Sequence, residues 1–151
     1  MATTTQARTP VHLWIVGIVS LLWGCFGAYD YVMSHMRDTD YIKASMPGVD
    51  PNAALAWMDA FPMYAKFGWG LGVWGGLLGA ILLLARSRYA VWAYGLSLLG
   101  AVLGLGYQIA LAPPLPGADT PMMKTIPYVI ILGSLALFLY ARAMAKKGVL
   151  R

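Results

Sequence analysis

With 60% hydrophobic residues, 11% charged residues and a mean hydropathy of +0.65, this chain of 151 residues is too apolar for a water-soluble domain, where about a quarter of residues are charged. The net charge of +5 does not make nucleic acid a partner, because the basic residues are divided among short loops and tails instead of forming one patch. One cysteine, Cys25, excludes an internal disulfide, and two histidines, His12 and His35, supply few metal ligands.

Met1 to Pro10 is a polar tail without a period, and Val11 to Met33 is the first apolar span. Within it, Leu22 to Cys25 resembles a lipobox, which would make the span a signal peptide. Trp23 fits that pattern poorly, and the residues after Cys25 stay apolar instead of forming a polar tether, so the span is read as retained. Residues 34–61 form the only long polar segment, an outer loop. Asp50 before Pro51 gives an N-cap and first-turn signal there, which predicts a short surface helix over Pro51 to Ala60.

A second span covers 62–84 and a third covers 89–111, joined by a tight turn holding Arg86 and Arg88. The loop Pro113 to Pro121 carries four prolines, three of them within Pro113 to Pro116, and is not expected to be helical, and a fourth span covers 126–145. Each span has the roughly 20 residues needed to cross about 30 Å of hydrocarbon. The expected fold is therefore all-α: a single membrane domain over 1–151, built as a four-helix bundle with short loops and one longer outer loop.

Charge sets the expected orientation. Arg8, Arg86, Arg88, Arg142, Lys146, Lys147 and Arg151 share one side with no acid, while Arg37, Lys43, Lys66 and Lys124 share the other with every aspartate. By the positive-inside rule both termini are expected to face the cytoplasm.

Lipid is as apolar as leucine, so membrane helices associate where small residues let their backbones approach. At 100° per residue, Gly68, Gly72, Gly75, Gly76 and Gly79 fall within about 100° of arc on the second span. Gly17, Ser20, Gly24, Gly27 and Ala28 do so on the first, and Ala93, Ser97, Gly100, Ala101 and Gly104 on the third. These are three packing seams. The fourth span is bulkier, with Ile130, Leu132, Leu135 and Phe138, and belongs at the edge or against a partner. Gly70, Gly72 and Gly75 spell G-x-G-x-x-G, but that dinucleotide fingerprint needs a preceding strand, and here it lies inside an apolar helix.

Three polar side chains, Asp30, Lys66 and Gln108, lie within about a turn of the outer ends of their spans, at the depth of Tyr29, Tyr31, Tyr64 and Tyr107. An outer-leaflet polar site is one reading of them, since ionisable groups in a membrane are candidate substrate or proton sites. An interfacial belt is the preferred one, with Lys66 extending to water and the tyrosines anchoring at headgroup level. Gln108 shares the small-residue face of its helix and is expected to be buried. If the first two seams face each other, Asp30 and Lys66 are sent to opposite sides of the pair. An ion pair between them and a facing seam then exclude one another. A tetrahedral zinc or bis-histidine haem site cannot be assembled from His12, His35 and Cys25, and Ser20, Ser97 and Ser134 have no neighbouring base. No cofactor is expected.

The runs HLWIVGIVSLLWGCFGAYDYVM, LGVWGGLLGAILLL, RSRYAVWAYGLSLLG and MAKKGVLR together resemble a family of uncharacterised small four-span bacterial inner-membrane proteins. Members of that family often carry an automatic "sugar transporter" label. The resemblance covers nearly the whole chain and implies the four-span fold, but it carries no functional residues with it. The chain lacks an acidic residue at the centre of its first span and an obvious internal repeat, both found among small transporters. The expectation is a non-enzymatic accessory or stabilising subunit in the lipid bilayer, packed as a homo-oligomer or in a larger membrane complex. The alternative is a small oligomeric carrier of a sugar-like solute, with Asp30, Lys66 and Gln108 as its polar layer.

Overall fold

The computed structural model describes residues 7–151 and is helical, with no strand among them. Four long helices are apolar enough to cross a membrane: α1 (Val11–His35), α4 (Met63–Leu84), α5 (Tyr89–Ala110) and α6 (Pro121–Lys146). Two short helices, α2 (Thr39–Ser45) and α3 (Pro51–Asp59), lie between α1 and α4.

Local chemistry sets the boundaries. The Asp50 carboxylate accepts from the N–H of Ala53 at 3.1 Å, with Pro51 in the first turn, so α3 starts where the cap signal placed it. Asp38 does the same for Tyr41 at 2.9 Å and starts α2, which the reading of 34–61 as a loop with one surface helix overlooked. The fourth helix begins at Pro121, earlier than the expected 126. Thr120 caps the N–H of Met123 at 3.3 Å, and the ring of Pro121 occupies a first-turn position that needs no N–H. That proline starts a helix instead of breaking one. Pro127 then lies inside α6, where it removes one main-chain donor.

Two helices end in an unusual way. Arg37 (φ +59°) follows α1 and Arg86 (φ +57°) follows α4, both in the left-handed region. The N–H of Arg37 bonds to Ser34 and that of Asp38 to Met33; the N–H of Arg86 bonds to Leu83 and that of Ser87 to Leu82. This is the Schellman pattern, in which glycine ordinarily takes the left-handed position. At the end of α6 glycine does so, as Gly148 (φ +73°). The two arginines each carry a strain of about 1–2 kcal/mol that glycine would avoid, and both put the side chain to use. Arg86 Nη1 donates to Thr9 at 2.9 Å, and Arg37 reaches the outer loop as described below.

The long helices pack in the order α1, α4, α5, α6, with the α4–α5 interface the most extensive. There the backbones nearly touch. A Cβ on Gly100 would lie 2.5 Å from the Gly68 carbonyl oxygen, and one on Gly72 would lie 3.2 Å from the nitrogen of Ala101. Ser97 Oγ closes the contact by donating to the Gly72 carbonyl at 2.6 Å. The seam of α1 behaves differently. Gly24 and Gly17 accept the leucines Leu77 and Leu84 of α4, which lie about 130° round that helix from its glycines. The condition that the first two seams face each other is therefore not met: α4 turns its glycines to α5 and its leucines to α1, which lets one helix hold two neighbours.

At the end that carries Arg86, Arg88 and the C-terminal residues, here the basic end, all four helices meet in one core. Leu13, Leu83, Ala90, Tyr94, Ala141 and Met144 are buried together, covered by Val149 and Leu150. His12 Nδ1 hydrogen-bonds the Tyr140 hydroxyl there, joining α1 to α6. Farther along, an apolar cleft of about 400 Å³ lies between Trp23 of α1 and Met122, Ile126, Val129 and Ile130 of α6. The bundle is closed at the basic end and open on this side.

Candidate functional site

The other end of the bundle holds the polar residues that the sequence singled out. Asp30, near the end of α1, is half-buried and accepts a hydrogen bond from the Tyr41 hydroxyl of α2 at 2.7 Å. The Tyr41 ring stands edge-on to Tyr29 at 5.5 Å. Partial burial, and then the Asp30 carboxylate, push the Tyr41 phenol well above the usual tyrosine range, so it stays a donor at any physiological pH. Asp30 is thus the anchor of α2.

Lys66, in the first turn of α4, donates from Nζ to the main-chain carbonyl of Asp59 at 2.8 Å. Asp59 is the last residue of α3, so the ammonium lies against the negative end of that helix. The Asp59 carboxylate is gripped from the other side by Arg37, whose Nη1 and Nη2 donate to its two oxygens at 3.0 and 3.1 Å. Asp30 and Lys66 do not pair. They hold two different pieces of the outer loop.

Gln108 departs from expectation. It is half-buried and makes no side-chain hydrogen bond among the described residues. The small-residue face of α5 is spent on α4 only as far as Gly104; at Gln108, one turn on, α4 has already reached its first residues. The three polar groups share a level of the bundle without sharing a site.

The loop between α1 and α4 is a structured cap with its own small core. Ile42, Val49, Ala54 and Leu55 are buried, with Leu115, Ala118 and Met123 packed against them from the α5–α6 connection and the start of α6. Trp57 Nε1 donates to the Pro113 carbonyl at 2.7 Å, and Trp57, Phe61, Tyr107 and Tyr64 form a chain of edge-on rings. Gly48 (φ +90°) and Gly117 (φ +85°) meet where the two loops cross, and a Cβ on Gly117 would overlap the Gly48 carbonyl. Beside the cap, Tyr31 and His35 of α1 stack at 4.0 Å, with Trp69 of α4 at 5.0 and 5.1 Å from them. His35 Nδ1 lies 2.8 Å from the Tyr31 carbonyl oxygen, which requires the proton on that nitrogen.

Sequence reasoning found Asp30 and Lys66 but missed their partners, Tyr41 and Asp59, and missed Arg37 as the second hold on Asp59. Asp38, as a cap three residues before Tyr41, was the available signal for α2. Among the described residues no group of three or more His, Cys, Asp or Glu is placed to hold a metal ion, and His12 and His35 stand at opposite ends of α1. Within the membrane the hydroxyls are bonded to neighbours: Ser20 to the Gly17 carbonyl and the Tyr94 hydroxyl, Ser97 to Gly72, Ser134 to the Ile130 carbonyl.

The Arg37 to Asp59 contact makes the cap sensitive to acid. The Arg37 hydrogen bonds hold the Asp59 carboxyl below the usual carboxylate range. A carboxylate with a lowered folded pKa contributes stability above its ordinary value of about 3.9, and loses it as pH falls through the folded value. Peptic cleavage within 38–60 should therefore accelerate as pH drops below about 4, while Asp59→Asn should already be cleaved faster at the upper end of that range and show no such step. Arg37→Gly should open the cap less than Arg37→Ala. Both lose the ion pair, but glycine recovers about 1 kcal/mol of left-handed strain. Equal cleavage of the two variants would show that the strain is not felt.

No protein-family model matches the chain, and neither a curated protein nor a solved structure matches it. Fold and site together define a multi-pass membrane protein: an all-helical, four-span bundle whose loop end is closed by a packed cap.

Proposed function

We propose that this protein is a non-enzymatic, four-span subunit of the bacterial inner membrane, oriented with its basic end in the cytoplasm, that acts by assembling with a second copy or a larger complex. The observation that carries this reading is how the polar groups are spent. Asp30 and Lys66 are both bonded to the cap, so the two charged groups that a carrier would use are occupied by structural contacts.

The surface left over is apolar and unequally distributed. The seams of α4 and α5 are used on each other, whereas α6 packs mainly on α5, meets the other helices at the basic end, and is the least buried of the four spans. Its outward face presents Val129, Leu132, Leu135 and Leu139, and Gly133 among them has nothing within 4 Å of where its Cβ would stand. A small residue open on a bulky face lets another helix come close.

The reading is tested by co-purification from native membranes in mild detergent. Leu132→Trp with Gly133→Leu should strip away the companion, be it a second copy or a different protein. Asp30→Asn and Lys66→Met should leave it bound while loosening the cap. Solute uptake by the unaltered protein that disappears with Asp30→Asn or Lys66→Met would instead establish the carrier.

A further inference from the structure

Helix α6 is fastened at both ends and parts from its neighbours between them. At the basic end Tyr140 is hydrogen-bonded to His12 of α1, and at the loop end Met123 packs on the core of the cap. Two glycines of α5 show the parting. Gly95 and Gly106 are eleven residues apart and fall within about 20° of one another, so both look toward the side where α6 lies. A Cβ on Gly95 would stand 3.3 Å from Phe138 of α6, whereas one on Gly106 would meet nothing within 4 Å. The facing wall on α1 is as bare. His12 and Trp23 share a face of that helix, within about 20°, and Gly27, one turn beyond Trp23, also has nothing within 4 Å of a Cβ.

The space so framed is the cleft of about 400 Å³ between Trp23 and the α6 residues Met122, Ile126, Val129 and Ile130. Residues 121–130 of α6 rise about 15 Å, half of the roughly 30 Å of hydrocarbon, so the cleft runs the depth of one leaflet, at the loop end. The cap and the His12 to Tyr140 contact bound it along the helices, and it opens sideways into lipid. The hydroxyl of Thr125, in its lining, is spent on the Pro121 carbonyl at 2.7 Å. What fills the cleft therefore comes from the bilayer, and size decides between a helix and a lipid chain. A helix is 10–12 Å across, so a leaflet's length of it occupies about 1,200 Å³ or more, three times the space. An acyl chain is slimmer and needs no hydrogen-bond partner. Left empty, the cleft would forfeit dispersion contacts on both walls.

We infer that the cleft between α1 and α6 binds one acyl chain of a membrane phospholipid, lying between Trp23 and Gly27 on one side and Ile126 and Ile130 on the other. The chain supplies the packing that α6 and α1 do not give each other in that leaflet. Recognition is of the chain, with the headgroup outside the cleft. The inference holds whether the protein is a subunit or a carrier.

The test is native mass spectrometry of the full chain, purified in detergent and offered equal amounts of phosphatidylglycerol and phosphatidylethanolamine. The unaltered protein should keep one lipid molecule, taking the two headgroups alike, and should prefer dipalmitoyl- over dioctanoyl-phosphatidylethanolamine. Ile126→Trp fills the cleft from α6 and should lower retention about tenfold, the scale of overpacking by a ring. Gly27→Leu fills it from α1, where a Cβ meets nothing within 4 Å, and should act in the same way. Leu132→Trp puts the same ring about 160° round α6 from Ile130 and should leave retention within about twofold of the original. Thermal unfolding gives a second readout: stripping lipid should lower the Tm of the unaltered protein and leave that of Ile126→Trp unchanged. Protein that keeps no lipid, a preference set by headgroup instead of chain length, or undiminished retention by both filled variants would each overturn the assignment. So would capture of a second protein chain by a photocrosslinker placed at Ile130.

Discussion

Gly100→Ala is expected to destabilise the bundle by about 2 kcal/mol, and Gly100→Leu to prevent α4 and α5 from pairing at all. The new methyl group would stand 2.5 Å from the Gly68 carbonyl oxygen and 2.9 Å from the Leu71 carbonyl carbon. Those are backbone atoms, which cannot rotate away as a side chain would. Overpacking costs about 1–3 kcal/mol even where neighbours can adjust, and it outweighs the gain of up to about 1 kcal/mol in helix propensity when alanine replaces glycine. Gly106 and Gly133 provide the internal comparison, since each has nothing within 4 Å of a Cβ. Alanine there should leave stability unchanged or raise it by about 0.5–1 kcal/mol. Unfolding by added SDS in bicelles measures all of these, and a Gly100→Ala as stable as Gly133→Ala would refute backbone contact between α4 and α5.

Tyr94→Ala is expected to cost about 3 kcal/mol and to loosen α1 as well as α5. Tyr94 is buried to 1% exposure where all four long helices converge, and its ring fills the space above Gly79, with Cδ1 2.7 Å from a notional Cβ there. Removing a large aromatic side chain costs about 3–5 kcal/mol in soluble cores. In lipid the transfer contribution largely cancels, because the unfolded helices still lie in hydrocarbon, so the lower end applies. The hydroxyl adds little by comparison. Its bond to Ser20 at 3.0 Å should be worth about 0.6 kcal/mol, the typical value for such bonds between membrane helices, and Tyr94→Phe should show that loss alone. Gly79→Ala conflicts with the Tyr94 ring and should be strongly destabilising by itself, yet much less so beside Tyr94→Leu. A double-mutant cycle in the same assay reports that coupling.

Much of this architecture was legible in the chain. The spans follow from apolar length alone, and the four long helices start and stop within two residues of the expected limits, except at Pro121. There the sequence pattern of several prolines in a loop concealed that the last of them, preceded by Thr120, has the chemistry of a helix start. Which face carries the glycines was readable from periodicity. Which neighbour each face meets was not, because the α1 and α5 seams look equivalent from α4. The arrangement is decided by Leu77 and Leu84, whose bulk suits the shallow recesses at Gly24 and Gly17, while the flat face at Gly72 suits only a backbone as bare as that around Gly100.

The polar layer shows a different limit. Asp30 and Lys66 were identified by depth, which the sequence encodes, but their partners lie across the loop in residues 37–61, and that pairing is set by tertiary contact. Treating the loop as a solvated connection hid its core of Ile42, Val49, Ala54 and Leu55, spaced too irregularly to show a helical period over such short elements. Arg37 and Arg86 were likewise read as charges that set topology. Their left-handed backbone is invisible in the sequence because glycine is the residue that ordinarily marks it.

The proposed role of this protein depends on its association with another chain. Its most direct test is the mass of the particle released from native membranes in polymer-bounded bilayer patches, which keep lipid and neighbours in place. A particle containing at least one further protein chain in fixed ratio to this 16.3 kDa protein is the expected result. A homogeneous particle holding a single copy and lipid alone would contradict it.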